Sequence, residues 1–188
     1  MKAICLSILI ISLVRGVYAQ TEESSHFTPA QIQSINASVE RKAAAFKKKL
    51  EANSFESPGS QEFHLDTFKA EESARLKMDI AESSSAMNEV TNDLFSAYDK
   101  ILNKYYNRLL KLLTPEDQKI LIQAQRSWLT FQTAERNLLI TLMDPAYSGG
   151  GSIQSNIHTA MVAELLIKRS QEIGAYYQMV SDTKENGE

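Results

Sequence analysis

Apolar residues recur along the first part of the chain at the spacing of one helical face. The pattern starts at Thr28, which can cap a helix, followed by Pro29 at the first helical position and Gln31 to complete a capping box. Its apolar members are Ile32, Ile35, Val39, Ala43, Phe46 and Leu50. The pattern predicts a first helix over residues 28–51. A linker is expected in "NSFESPGS", residues 53–60, where proline and glycine interrupt the helical composition.

A second helical region runs from about Gln61 to Leu113 and contains no proline or glycine. One long helix or two abutting helices could fill it, and Ser83–Ser85 is where two helices would meet. An apolar stripe follows this break, as in an amphipathic helix. Its members are Met87, Val90, Leu94, Ile101, Tyr105, Leu109 and Leu112.

Two further helices are predicted in the last third of the chain. Thr114-Pro115 repeats the threonine-proline start, and Asp144-Pro145 ends this helix, because a residue before proline avoids the helical conformation. Its stripe is Leu121, Ala124, Trp128, Phe131, Leu138 and Leu142. After the glycines of "AYSGGGSIQS", Ser152 can cap a last helix that reaches about Met179. That helix carries Ile153, Ile157, Met161, Leu165 and Ile173.

No alternating strand pattern occurs, so the sequence predicts an all-α, elongated bundle of four or five helices. The expected organisation begins with a leader, helix and linker over residues 20–60, of which residues 20–27 are polar and predicted to be disordered. A helical domain over residues 61–180 and a polar tail over residues 181–188 follow.

The first 19 residues have the pattern of a signal peptide. Lys2 gives a positive start, Ala3–Val14 is apolar but too short to span a bilayer, and Val17–Ala19 matches a small-residue cleavage site. Cleavage after Ala19 predicts a periplasmic or secreted protein with no transmembrane segment in the mature chain. The only cysteine, Cys5, would leave with the signal, which excludes disulfides and thiolate metal sites from the mature chain.

The charge balance excludes one class of partner. The chain has 20 basic and 23 acidic residues, and loss of Lys2 and Arg15 with the signal would change the formal net charge from −3 to −5. Binding to nucleic acid without sequence preference needs a basic surface, so no nucleic-acid partner is expected. A cationic partner fits the sign better.

The residue types that usually carry chemistry do not form a constellation. The glycine loop follows no strand, has no lysine and lacks the spacing of a phosphate-binding loop, so its simplest interpretation is a helix–helix joint. His26, His64 and His158 lie far apart, and no serine lies in a nucleophile motif. The sequence therefore predicts no metal site, no cofactor and no enzymatic activity.

From about Ser85 to Ile173 the chain resembles the LprI-type lysozyme-inhibitor domain family, also called YecT-like. Short motifs in matching order carry the resemblance: "MNEV", "DKILNKYY", "AQRSW", "AE", "GGSI" and "AEL…R". The resemblance marks eight positions in these motifs as structural: Asn88, Asn103, Tyr106, Gln125, Arg126, Trp128, Glu135 and Arg169. The stretch 63–78 is similar to an extra helix of longer members.

Typical members have cysteines where this chain has Val90, Arg136 and Met161, so it resembles a branch without disulfides. If residues 136 and 161 face each other, as those cysteine positions imply, the last two helices form an antiparallel hairpin. Trp128 then lies opposite Arg169, and Gln125 lies opposite Glu172. The Arg169 guanidinium is expected to stack on the Trp128 ring.

The resemblance implies a non-catalytic binding protein that inhibits a lysozyme-like muramidase by occupying its glycan cleft. The hairpin would project residues 144–152 at its tip, and exposed loops on rigid scaffolds often carry function. The predicted partner-binding residues are Asp144, Tyr147, Ser148, Gly149, Gly150, Gly151 and Ser152. The alternative is an envelope structural or adaptor protein that binds another protein through its helical faces, with the stripe of the first helix as a partner helix or as a self-association seam.

Overall fold

The computed structural model describes residues 25–52 and 57–185. This part of the chain forms five long helices and one short helix: α1 (Pro29–Glu51), α2 (Pro58–Met78), α3 (Ser84–Leu112), α4 (Pro115–Leu142), α5 (Pro145–Ser148) and α6 (Ile153–Glu185). No strand occurs among the described residues. The predicted all-α bundle is confirmed, and α5, a single turn, adds to the expected helices. The predicted signal peptide, residues 1–19, lies outside the described residues.

A hydroxyl residue followed by proline begins three of the long helices. The Thr28 side chain accepts a hydrogen bond from the Gln31 backbone N–H, and the Gln31 side chain accepts one from the Thr28 N–H at 2.8 Å. This is the predicted capping box at the start of α1. Ser57 and Thr114 cap α2 and α4 through their own side-chain oxygens.

The start of α2 differs from the prediction. The helix begins at Pro58, inside the predicted linker 53–60, because Ser57-Pro58 acts as a start signal like Thr28-Pro29. Gly59 does not mark a turn. It lets the Tyr177 ring approach the helix, since an added Cβ would lie 2.9 Å from the Tyr177 Oη.

Both predicted irregular ends are partly ordered. In the predicted leader, Ser25 donates to a Glu89 carboxylate oxygen at 2.6 Å. Phe27 is buried against Ala86 and Val90 of α3, and Ile32 of α1 packs against the same cluster, as in a hydrophobic staple. In the predicted tail, α6 continues to Glu185, and Lys184 donates to the Leu112 carbonyl at 2.7 Å. The prediction of a disordered leader was wrong for residues 25–27.

The long helices lie in the order α1, α2, α3, α6, α4. α2 and α3 are antiparallel, because ion pairs link Glu62 to Arg108 and Lys77 to Asp93. α3 and α6 are parallel: Asn156 donates to the Ser84 carbonyl at one end, and Lys184 reaches Leu112 at the other. α4 runs back along the free side of α6, so α4 and α6 form the predicted antiparallel hairpin.

The main core lies between α2, α3 and α6. Tyr98 and Tyr105 of α3 and Ile173 of α6 are completely buried. Phe63 of α2 packs edge-on to Tyr105, with 4.9 Å between the ring centroids. Gly174 allows this arrangement, since an added Cβ would lie 2.2 Å from the Phe63 Cε2. α2 and α6 therefore approach each other where a large ring lies against a residue without a side chain.

The apolar stripe of α1 is internal. Ile35, Val39, Ala43 and Leu50 are buried, and the ring of Phe46 stacks on the Phe68 ring of α2. The chain itself therefore already covers this stripe. The stripe is not free to act as the partner helix or seam that would suit the adaptor hypothesis.

Polar groups on α2 satisfy buried or basic groups on α3. Arg108 donates to the two Glu62 carboxylate oxygens at 2.6 and 3.0 Å. The buried Tyr105 hydroxyl donates to Asp66 at 2.9 Å, and burial together with this hydrogen bond raises the pKa of Tyr105. These bonds offset the cost of placing a tyrosine hydroxyl in the core.

Stability should fall in acid because two carboxylates of α2 are held ionised. The hydrogen bond from Arg108 lowers the pKa of Glu62 to about 2, and those from Arg75 and Lys42 lower the pKa of Glu72 to about 2. Each folded-state pKa lies below the ordinary value of 4.5. The contribution to stability is therefore complete above pH 4.5 and is lost as the pH falls toward 2.

We expect the Tm to be nearly constant between pH 7 and pH 5 and to drop between pH 4.5 and pH 2, as followed by circular dichroism. Both pairs are partly solvated, so salt should reduce the drop. The Glu62→Gln variant should show a shallower decline than the wild type. A Tm that is unchanged down to pH 2 would contradict the ionised pairs.

Candidate functional site

The α4–α6 register is set by a group that we call the Arg169 cluster, which consists of Gln125, Trp128, Arg169 and Glu172. The Arg169 guanidinium lies 5.9 Å from the centroid of the Trp128 ring. Its Nε donates to the Gln125 Oε1 at 3.0 Å, and a terminal nitrogen donates to a Glu172 carboxylate oxygen at 2.9 Å. Arg169 is only 8% exposed, so these partners satisfy a buried charge. The predicted position of Trp128 opposite Arg169 is confirmed.

Two other motif residues, Tyr106 and Arg126, lie near this cluster, and Glu135 lies seven residues after Trp128. Tyr106 of α3 is half-buried. Burial raises the pKa of its phenol and outweighs the opposite effect of the nearby Arg126 and Arg169 cations. Arg126 is exposed and Glu135 is half-buried, both on α4. The motif residues here lie around a structural junction of α3, α4 and α6.

The remaining motif residues stabilise α3 and its contact with α6. Asn103 donates to the Asp99 carbonyl at 2.8 Å, and burial raises the pKa of Asp99. Asn88 donates to the Ser155 Oγ at 3.0 Å, near the start of α6. The positions that the resemblance marked as structural therefore do not converge on one pocket.

The hairpin tip contains the short helix α5. Asp144 caps this helix by accepting a hydrogen bond from the Ala146 N–H at 2.8 Å. Ser148 donates to the Met143 carbonyl at 3.0 Å and accepts from the Gly150 N–H at 3.1 Å. Tyr147 is 71% exposed, the most exposed of the large hydrophobic residues that the structure describes. The tip is thus an ordered turn that presents one aromatic side chain.

The three glycines of the tip shape the backbone. Gly149, Gly150 and Gly151 have φ of 75°, 76° and 97°, in the left-handed region that residues with side chains rarely adopt. The Gly149 N–H donates to the Pro145 carbonyl at 3.0 Å, which ends α5. Ser152 follows directly, and α6 begins at Ile153. The loop therefore works as the joint that the sequence indicated.

α4 presents a second apolar face, which the sequence did not distinguish from its buried one. The predicted stripe is divided: Leu121 and Trp128 face α6, while other members are exposed. Three of the exposed members, Ala124, Phe131 and Leu138, alternate with the exposed Ile120, Ser127 and Ala134, which the predicted stripe did not include. These six residues lie three or four positions apart, and we call them the α4 outer stripe. Ile120 is 69% exposed and Phe131 is 50% exposed. The stripe was predicted to be one packed face, and that prediction was wrong because α4 has a neighbour on one side only.

Charged residues are almost absent around this stripe. Of the fifteen exposed residues between Ile120 and Leu142, only Arg126 is charged, whereas 23% of the whole chain is charged. Depletion of charge around exposed apolar residues is typical of interface surfaces. The signal was present in the sequence as a seven-residue repeat within α4.

A groove of about 640 Å³ between α1, α2 and α3 is lined mainly by charged and polar side chains. Lys69 pairs with Glu40, and Lys77 pairs with Asp93. The lining has four lysines and three carboxylates, and each carboxylate pairs with a lysine, so the charges nearly balance and the groove has little preference for a ligand of one sign.

Among the described residues, no three side chains of the metal-ligating types gather in one place. Within the same ranges, no helix is long and apolar enough to cross a membrane. The histidines are used separately: His26 contacts Glu89 at 2.8 Å, and His158 is half-buried on α6, where burial lowers its pKa.

The fold and these contacts define an all-α bundle with a long antiparallel hairpin, ending in an ordered tip. Residues 74–173, more than half of the chain, match the family described as Lysozyme inhibitor LprI, and the chain belongs to that family. The match starts inside α2 and ends at Ile173, so α1 lies outside it. Comparison with curated proteins and with solved structures found no match.

Proposed function

We propose that the protein is an exported, non-catalytic inhibitor of a lysozyme-like muramidase and that it binds its target through residues 144–152. Membership of the LprI lysozyme inhibitor family supports the activity. The signal-peptide pattern of residues 1–19 supports an exported location, where such a target would be met.

The observation that carries the choice of the tip is the exposure of Tyr147 on an ordered turn. An aromatic side chain that is 71% exposed has a large area to bury on a partner, and tyrosine is enriched at binding hot spots. The Asp144 cap and the Ser148 hydrogen bonds hold the turn before binding, so less conformational entropy is lost on association.

The chemistry of the target also fits. Lysozymes hydrolyse glycans with carboxyl groups in a cleft, and a tyrosine hydroxyl can donate a hydrogen bond to a carboxylate. The acidic balance of the chain favours encounter with a basic enzyme. The tip lies at the end of the bundle. Asn156, in the first turn of α6, already donates a hydrogen bond to Ser84 at the start of α3, and the tip precedes α6 in the chain.

We expect the Tyr147→Ala variant to lose inhibition by at least ~10-fold, because truncation of a hot-spot aromatic typically costs about 2 kcal/mol or more of binding energy. The measurement is protection of peptidoglycan from a panel of lysozymes, followed by turbidity. The matched control is Tyr176→Ala, which removes an exposed tyrosine from α6 far from the tip and should leave inhibition unchanged.

The role of Asp144 is tested by two substitutions. Asn is as good a helix cap as Asp, so Asp144→Asn removes the charge and keeps the turn, whereas Asp144→Ala removes both. Loss of inhibition in both variants would assign a binding role to the charge. Loss of inhibition in Asp144→Ala alone would show that Asp144 acts by holding the turn. Full inhibition by Tyr147→Ala, from protein with an unchanged Tm, would contradict the tip as the binding site.

A further inference from the structure

We infer that a second copy of this chain covers the α4 outer stripe, in an antiparallel pair of α4 helices. The inference is independent of muramidase inhibition. It begins from the seven-residue repeat of the exposed positions, which is the spacing that keeps one helix in contact with another along its length.

The stripe is complementary to itself when it is reversed. With residue 129 of each copy at the two-fold axis, Ile120 lies opposite Leu138 of the other copy, and Ala124 lies opposite Ala134. Phe131 meets Ser127, which leaves space for the ring. Large residues thus meet at both ends, small residues meet between them, and each contact occurs twice, as a two-fold interface requires.

The charge pattern favours a second copy over a cationic partner. A basic protein would be attracted by exposed carboxylates, but the fifteen exposed residues from Ile120 to Leu142 include none, and the exposed Glu116 and Asp117 lie beyond the stripe, at the start of α4. Two copies of a chain with an acidic excess would repel each other through most surfaces. This face lets them meet without that repulsion. Gln123 and Asn137, next to the stripe, come nearly level in the reversed pair and can exchange amide hydrogen bonds.

The stripe also continues into a groove that the other copy can reach. At the start of α4, an apolar groove of about 340 Å³ is lined by Leu109, Leu113, Ile120 and Tyr176, among others. In the reversed pair, the end of the second α4, with its exposed Leu142, lies beside this groove. The tips lie at opposite ends of the dimer, about 50 Å apart at 1.5 Å per helical residue, so pairing leaves both Tyr147 side chains accessible.

The interface is of modest size. A stable dimer commonly uses about 20 residues a side, and α4 offers fifteen exposed residues on this face and its flanks. We therefore expect a dimer that dissociates in the micromolar range. Sedimentation of residues 20–188, which include every described residue, should show a monomer–dimer equilibrium between ~1 and ~300 μM.

Two variants test the surface. Phe131→Glu places a carboxylate in the centre of the stripe on both copies and should give a monomer at every concentration. Met179→Glu, which changes another exposed apolar residue on α6, should dimerise like the wild type. A wild type that stays monomeric up to ~300 μM overturns the inference, and the face would then be left for a helix of another protein. Dimerisation of Phe131→Glu to the same extent as the wild type also overturns the inference.

The register has its own test, because the chain has no cysteine after Cys5. Under mild oxidation, a mixture of Ala124→Cys and Ala134→Cys proteins should form a disulfide between different variants faster than either variant cross-links with itself. Faster self-cross-linking of Ala124→Cys would indicate a parallel pair and overturn the antiparallel arrangement.

Discussion

The Gly174→Ala variant is expected to be less stable than the wild type by about 3 kcal/mol, although alanine usually stabilises a helix relative to glycine by about 1 kcal/mol. An added Cβ would lie 2.2 Å from the Phe63 Cε2 and 2.3 Å from the Phe63 Cζ. Phe63 is only 6% exposed and is held by the buried Tyr105 ring, so it has little room to move. Chemical denaturation followed by circular dichroism measures the change in the free energy of unfolding.

Gly59→Ala is the matched control for this prediction. The added Cβ at residue 59 would lie 2.9 Å from the Tyr177 Oη. The hydroxyl end of the Tyr177 side chain can shift more easily than the buried Phe63 ring. We expect a loss of less than about 1 kcal/mol. The double variant Gly174→Ala, Phe63→Leu should recover part of the stability lost in Gly174→Ala. A Gly174→Ala variant with a higher Tm than the wild type would show that α2 and α6 do not approach each other in this way.

Trp128→Ala should lower the free energy of unfolding by about 3 kcal/mol, at the low end for a tryptophan, because the ring is only partly buried. The loss should be local. α4 contacts the rest of the bundle mainly through α6, and only Leu121 and Leu139 of α4 are buried, each with 8% of its surface exposed. Without the ring, Arg169 also loses the surface on which it stacks. Hydrogen exchange should therefore speed up in α4 while the amides of α2 and α3 stay protected.

Phe131→Ala controls for the loss of any aromatic residue from α4. Phe131 lies three residues from Trp128 but is 50% exposed on the outer stripe, so its removal should cost less than about 1 kcal/mol at concentrations where the chain is monomeric. Arg169→Lys keeps the charge but loses the planar fork, and it should fall between the two variants. Equal losses from Trp128→Ala and Phe131→Ala would contradict the register of the Arg169 cluster.

Much of the helical organisation was predictable because its causes are local. Thr28-Pro29 and Thr114-Pro115 begin helices through hydrogen bonds within three residues, and Asp144-Pro145 ends one for the same kind of reason. Ser57-Pro58 carried the same signal and was missed because Gly59 suggested a turn. The short helix α5 was missed as well, since a single turn has too few residues for a periodic pattern.

The register of the hairpin was also predictable, by a different route. The cysteine positions of similar proteins placed Trp128 opposite Arg169, and the guanidinium lies over that ring although the cysteines are replaced by Arg136 and Met161. For the tip, the sequence indicated a projecting joint. The exposure of Tyr147 and the use of Asp144 as a cap came only from the structure.

The sequence by itself determined which residues share a helical face. It did not determine which faces are covered. The stripes of α1 and α4 have similar periods, yet the α1 stripe is buried against α2 and the α4 outer stripe is exposed. The difference arises because α4 lies at the edge of the array, with α6 as its main neighbour. Periodicity depends on the helix alone, whereas burial depends on the order in which helices pack, and that order is decided by contacts between residues far apart in the chain.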